Sequence, residues 1–235
     1  MRYLFLLLVT MLLGTCNTNE VAKPQGPFPP LPGENTPFSY LALGDSYTIG
    51  ESVAERERYP NQLADSLAKH GINLSPVDIV ARTGWTTDEL ADGIAARDDL
   101  QTTYDLVTLL IGVNNQYRNR PIGPYEEEFR SLLEQAIEFA AGDLTRVFVI
   151  SIPDYAFTPF GNGNPAISEG IDAYNAANKV IAETYGVRYF DITPISREGL
   201  TMPSLVANDG LHPSGAQYAR WVNLLLTTVK EELED

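Results

Sequence analysis

The chain has 235 residues, 44% of them hydrophobic and 20% charged, which suits one sizeable folded domain and excludes a disordered polymer. Acidic residues outnumber basic ones 31 to 16, for a formal net charge of −15, so the surface repels phosphate backbones and nucleic-acid binding is disfavoured. The single cysteine rules out an intramolecular disulfide.

The N-terminus reads as a targeting segment. Arg2 supplies the positive end, and Tyr3 to Leu13 is apolar but too short for a membrane-spanning helix, which needs about 20 residues. Leu13-Gly14-Thr15-Cys16 resembles a bacterial lipobox, with Thr15 standing where Gly, Ala or Ser is usual. On that reading residues 1–15 are a lipoprotein signal peptide and Cys16 carries the lipid. The chain is then an exported bacterial lipoprotein on the periplasmic, outer-membrane or cell-surface side. The alternative is an ordinary secretory signal with an incidental cysteine. Residues 16–36 read as a tether, because Pro24, Pro27, Pro29, Pro30 and Pro32 favour an extended, solvated chain.

From residue 37 to 235 a single domain is expected. Short apolar runs at Tyr40–Leu43, Val77–Ala81, Leu106–Ile111, Val147–Ile150 and Val187–Phe190 are bounded by turn residues, as buried parallel strands are. Between them the spacing predicts helices over Asn61–His70, stopped by Gly71, and over Thr87–Arg97, opened by Thr87-Asp88-Glu89. Further helices are expected over Tyr125–Ala141, over Ala166–Tyr185, and from Gly215 to about Glu232, with Leu233 frayed. Alternation of this kind predicts an α/β fold: a three-layer α/β/α sandwich around a five-stranded parallel sheet, flavodoxin-like in architecture. In such sheets the working site lies beyond the carboxyl ends of the strands.

The candidate chemistry falls there. Ser46, in Gly44-Asp45-Ser46, follows the first strand in a turn where backbone N–H groups and a helix dipole can assist an oxyanion. Gly-Asp-Ser is also an ordinary turn composition. Only two histidines exist. His70 closes a helix, leaving His212 as the base, with Asp209 three residues earlier to bond its other ring nitrogen. Gly84, after the second strand, allows close approach of a backbone N–H, and Asn114, after the third, offers a neutral side-chain donor. Tyr155, Phe157 and Phe160 lie in a loop after the fourth strand, where they either wall a pocket or cover the sheet's end; Trp85 adjoins Gly84. Two distant histidines and one cysteine make no plausible metal cluster, and no cofactor is expected.

Gly44-Asp45-Ser46-Tyr47, Gly84, Gly112-Val113-Asn114-Asn115 and Asp209-Gly210-Leu211-His212-Pro213 together resemble the four blocks of the SGNH (GDSL-like) hydrolase superfamily, across about Phe38–Leu225. The resemblance implies Ser46 as nucleophile, His212 as base and Asp209 as third member. It also implies an oxyanion hole from the Ser46 and Gly84 N–H groups and the Asn114 side chain. Asn115 departs from the family's usual Asp, which puts the support around Asn114 in question. The expected activity is hydrolysis of acyl or acetyl esters of carbohydrate or lipid. An acyltransferase with the same triad and a catalytically silent glycan-binding surface lipoprotein are the alternatives. A flavodoxin-like nucleotide binder is disfavoured, since no Gly-x-Gly-x-x-Gly follows the first strand and Asp45 would repel phosphate. Apart from the lipid anchor, the expected partner is a small-molecule or polysaccharide ester.

Overall fold

A computed structural model describes residues 36–234. The signal peptide, Cys16 and all but the last residue of the expected tether lie outside them. Eight helices and five strands alternate among the described residues: β1 (Phe38–Gly44), α1 (Ser46–Ile49), α2 (Tyr59–Ala68), β2 (Leu74–Ala81), α3 (Thr87–Ala95), β3 (Leu106–Leu110), α4 (Val113–Tyr117), α5 (Ile122–Phe139), β4 (Val147–Ile150), α6 (Pro165–Tyr185), β5 (Arg188–Phe190), α7 (Thr193–Ser196) and α8 (Gly215–Glu234). The strands form one parallel sheet in the order β2-β1-β3-β4-β5, with helices on both faces. The expected α/β/α sandwich is what the chain forms.

Burial explains the apolar runs. Every residue of β3 and β4 is buried, and β1 is buried from Ser39 onward, because helices cover both faces of the sheet. One helix layer pairs α2 with α8, where the rings of Tyr59, Tyr218 and Trp221 pack with centroids 4.9–6.3 Å apart. Two core hydroxyls, those of Tyr40 and Tyr59, share Thr108 Oγ1 at 2.9 and 3.1 Å, so neither is buried without a partner. On the other side α3, α5 and α6 form a row, with Tyr125, Phe129, Leu132, Leu133 and Ala136 of α5 facing inward.

Differences from the sequence reading sit at element ends and in short pieces. Strand β2 begins at Leu74, earlier than expected, and Pro76 conceals its start. Proline gives the ladder no donor, β2 is an edge strand, and its register with β1 slips between Phe38 and Tyr40. Val187 lies outside β5 because its N–H donates to the Ala182 carbonyl and closes the end of α6. Helix α2 stops at Ala68, and the following turn ends through Gly71, whose N–H reaches the Ala68 carbonyl while Ile72 N–H reaches Leu67. The N-cap of α3 is Thr86 rather than Thr87, and its N–H donates to the Glu89 carboxylate at 2.9 Å. Leu233 is not frayed: it is buried in the last turn of α8. Helices α1, α4 and α7 are too short to leave a periodic signal.

Candidate active site

The sheet order places β1 between β2 and β3, so the chain leaves β1 toward one neighbour and returns to the other. A crevice opens at such a switch point, beyond the carboxyl ends of the strands. Gly44 pairs in register with Ala81 on one side and Leu110 on the other. The segments that follow these residues carry Ser46, Gly84 and Asn114. A Cβ on Gly44 would lie 2.4 Å from the Leu110 carbonyl oxygen and 2.1 Å from Thr48 Oγ1, so only glycine permits this closeness.

A cavity of about 230 Å³ lies there, lined by Ser46, Tyr47, Thr83, Gly84, Val113, Asn114, Tyr117, Tyr155, Phe160, Leu211 and His212. Four of the residues singled out from the sequence therefore meet at one surface. The fifth, Asp209, stands behind His212. Its Oδ2 lies 2.6 Å from Nδ1 of the imidazole, and its Oδ1 accepts the backbone N–H groups of Leu211 and His212 at 2.9 and 3.0 Å. Partial burial pushes the Asp209 carboxyl up. The Ser52 hydroxyl, the imidazole and the two backbone donors outweigh that and hold it well below the usual carboxylate range. The ring of His212 packs edge-on against Tyr47, with centroids 5.7 Å apart. His212 bonds Asp209 rather than Ser46 Oγ, and contacts between nucleophile and base often tighten only with substrate bound. His70 is exposed at the end of α2 and does not line the cavity.

Three donors are disposed around the serine. Ser46 is the first residue of α1, where a helix leaves its N–H without an intrahelical acceptor, and no other acceptor is recorded for it among the described residues. Gly84 N–H likewise has none. Gly84 adopts φ of +88°, a conformation suited to glycine, and Arg118 fixes the turn by donating to its carbonyl at 2.6 Å. Asn114 donates one amide proton to the Trp85 carbonyl at 2.8 Å, which orients the amide and leaves its second proton available.

Asn115 is buried and ties the loops after β2 and β3 together. Its Oδ1 accepts Thr87 N–H at 3.1 Å, and its Nδ2 donates to Thr87 Oγ1 at 2.7 Å. The Thr87 hydroxyl, having accepted from the amide, donates to Glu128. The support questioned on sequence grounds is thus supplied by an amide and a distant carboxylate.

One aromatic participant, Tyr117, left no sequence signal. Tyr117 on α4 is 56% exposed beside the cavity, and its ring meets those of Tyr155 and Phe160 at centroid separations of 6.3 Å. Tyr155 and Phe160 line the cavity, whereas Phe157 and Trp85 do not; Trp85 packs over Gly93 of α3. The loop bearing Tyr155 and Phe160 is anchored by the fully buried Asp154, whose Oδ2 accepts from Arg197 Nε at 2.9 Å.

Residues 42–220 match the GDSL-like Lipase/Acylhydrolase family. The chain belongs to this family. Several solved structures share the fold at low identity. The crystal structure of TesA superposes with a TM-score of 0.64 at 18% identity, covering 83% of this chain and 99% of that one. The lipase/acylhydrolase from Enterococcus faecalis gives 0.64 at 19% identity, covering 83% and 96%. Axe2, an acetylxylan esterase from Geobacillus stearothermophilus, gives 0.61 at 21% identity, covering 84% and 94%. No curated protein matches the chain. As a GDSL-like (SGNH) enzyme, the protein is a carboxylic ester hydrolase.

Asp45 is the one carboxylate buried next to the serine. It is fully buried; Oδ1 accepts Tyr47 N–H at 3.0 Å and Oδ2 has no hydrogen-bond partner among the described residues. Burial pushes its pKa up from 3.8 to about 7, against the opposing pull of backbone N–H groups. A raised carboxyl pKa contributes stability that is complete below the unfolded value of 3.8 and is lost as pH rises through about 7. Asp45→Asn removes this loss. The Tm difference, variant minus wild type, is therefore expected to become more positive between pH 5 and pH 8, measured by thermal melts in matched buffers.

Proposed function

We propose that the protein hydrolyses short-chain acyl esters, acetyl esters of carbohydrate foremost, through an acyl-enzyme formed on Ser46. The observation that carries the reading is the meeting at one cavity of Ser46, an Asp209-backed His212 and two backbone N–H groups without acceptors. Ser46 Oγ attacks the ester carbonyl carbon as its proton passes to Nε2 of His212. Asp209 holds the Nδ1 proton and stabilises the imidazolium. The tetrahedral oxygen takes N–H donors from Ser46, Gly84 and Asn114. Collapse breaks the bond to the alcohol, which leaves with the proton from His212. Water then attacks the acyl group with the same base and regenerates Ser46.

Cavity size and lining support the substrate class. A volume of about 230 Å³ is below the roughly 300–1,000 Å³ of sites that enclose drug-sized ligands, which favours a small acyl group over a long chain. Among the described residues no carboxylate lines the cavity, which suits a neutral ester. The rings of Tyr117 and Phe160, both more than half exposed, offer apolar faces on which the C–H face of a sugar can rest. Among the structural relatives, Axe2 is an acetylxylan esterase.

A panel of p-nitrophenyl esters from acetyl to palmitoyl tests both parts. Ser46→Ala is expected to lose at least about 10⁴-fold in kcat, and acetyl or propionyl esters to give the highest kcat/KM. Full activity in Ser46→Ala would sink the mechanism, and a preference for long chains would remove the short-acyl assignment. Asn114→Ala is expected to lower kcat by about 10²–10³-fold with a smaller change in KM, measured on the preferred ester.

The same proposal anchors the domain to a membrane through a lipid on Cys16, with residues 17–36 as spacer. Cys16→Ser, expressed from the full chain, is expected to move the protein from the detergent-soluble membrane fraction to the aqueous one. Retention on membranes would exclude the lipid anchor.

A further inference from the structure

Ser52 has no part in the family blocks, yet its hydroxyl lies 2.6 Å from Asp209 Oδ2 across a sequence separation of 157 residues. This is the same oxygen that faces His212 Nδ1. Asp209 thus receives four donors, two per oxygen: Ser52 Oγ–H and the imidazole on Oδ2, and the N–H groups of Leu211 and His212 on Oδ1. A carboxylate accepts about four hydrogen bonds. With all four sites engaged, its plane is fixed relative to the imidazole. Three of the donors come from its own loop, and Ser52 is the one that arrives from another.

The route by which Ser52 arrives gives the contact its meaning. Helix α1 runs from Ser46 to Ile49 and is capped by Gly50; Glu51 N–H then donates back to the Ser46 carbonyl at 3.0 Å, and Val53 N–H closes onto the Gly50 carbonyl. Ser52 is the next residue after one hydrogen-bonded to Ser46. Its own φ is +66°, a region where a residue with a side chain is uncommon and glycine is at ease. A serine held there beside Asp209 indicates that the hydroxyl, rather than the backbone, is what the position supplies.

We infer that Ser52 is a positioning residue for the esterase reaction: from the turn that carries Ser46, it orients Asp209 and so sets His212 in register with the nucleophile. The role rests on Ser46, His212 and Asp209 acting as proposed above. The charge-assisted bond to Asp209 acts through the carboxylate and touches no substrate, so its loss is felt in kcat.

Two variants separate hydroxyl from backbone. Ser52→Ala removes the hydroxyl and keeps a Cβ at positive φ; Ser52→Gly removes the hydroxyl and relaxes the backbone. Both are expected to lower kcat by about tenfold on the preferred short-chain ester, with KM within twofold of wild type. Thermal melts should show Ser52→Gly at least as stable as Ser52→Ala. If Ser52→Ala does not fold, Ser52→Gly carries the test alone. Wild-type kcat in Ser52→Gly would overturn the inference, since a positive-φ position alone is then all that Ser52 fills. A raised KM with unchanged kcat would overturn it as well. Ser46→Ala and Asp209→Ala run in parallel: if either keeps full activity the triad itself is wrong, whereas their inactivity beside an unaffected Ser52→Gly rejects the Ser52 role only.

Discussion

Parallel pairing of β1 with both β2 and β3 is the constraint from which the site follows. Three strands aligned in one direction end side by side, so residues after each end become neighbours however far apart they lie in the chain. The contact is close enough at Gly44 that a single added methyl would strike both the Leu110 carbonyl and Thr48. A wider gap there would separate Ser46 from the donors at Gly84 and Asn114. The buried strands, the two helix layers and the aromatic packing of α2 against α8 hold this alignment rigid, and the loops supply the chemistry.

Two carboxylates near the serine show how environment divides a single functional group into opposite roles. Asp209, partly exposed and surrounded by donors, is kept ionised. Asp45, sealed in with one oxygen unpartnered, holds its proton toward neutrality. In the proposed mechanism the ionised group serves an imidazole that accepts a proton. The other caps the helix that begins at Ser46, accepting Tyr47 N–H, and is pushed toward its neutral form by burial.

Much of this was legible in the chain before its fold was known. Five short apolar-rich runs marked the five strands; the three central ones, β1, β3 and β4, are buried because helices cover both faces, while edge strands β2 and β5 are only partly so, and scarcity of histidine isolated His212. Ser46, Gly84, Asn114 and His212 were each placed by position after a strand or before the last helix. What stayed hidden has physical causes. Pro76 masked the start of an edge strand. Four- and five-residue helices contain too little periodicity to read. Tyr117 and Ser52 reach the site through tertiary geometry, and nothing in their local sequence distinguishes them from surface residues. Asn115 looked like a defect because its compensation comes from Thr87 and Glu128, on other elements.

That arrangement around Thr87 couples positions remote in the chain. The hydroxyl has one proton, which goes to Glu128 because the amide of Asn115 brings its own proton to the same oxygen. An aspartate at position 115 would leave two carboxylates competing for that single proton, in a spot where Asn115 is 1% exposed and water cannot arbitrate. Residues 115 and 128 therefore constrain each other through one buried hydroxyl, although 13 positions part them in the chain and neither touches the substrate cavity.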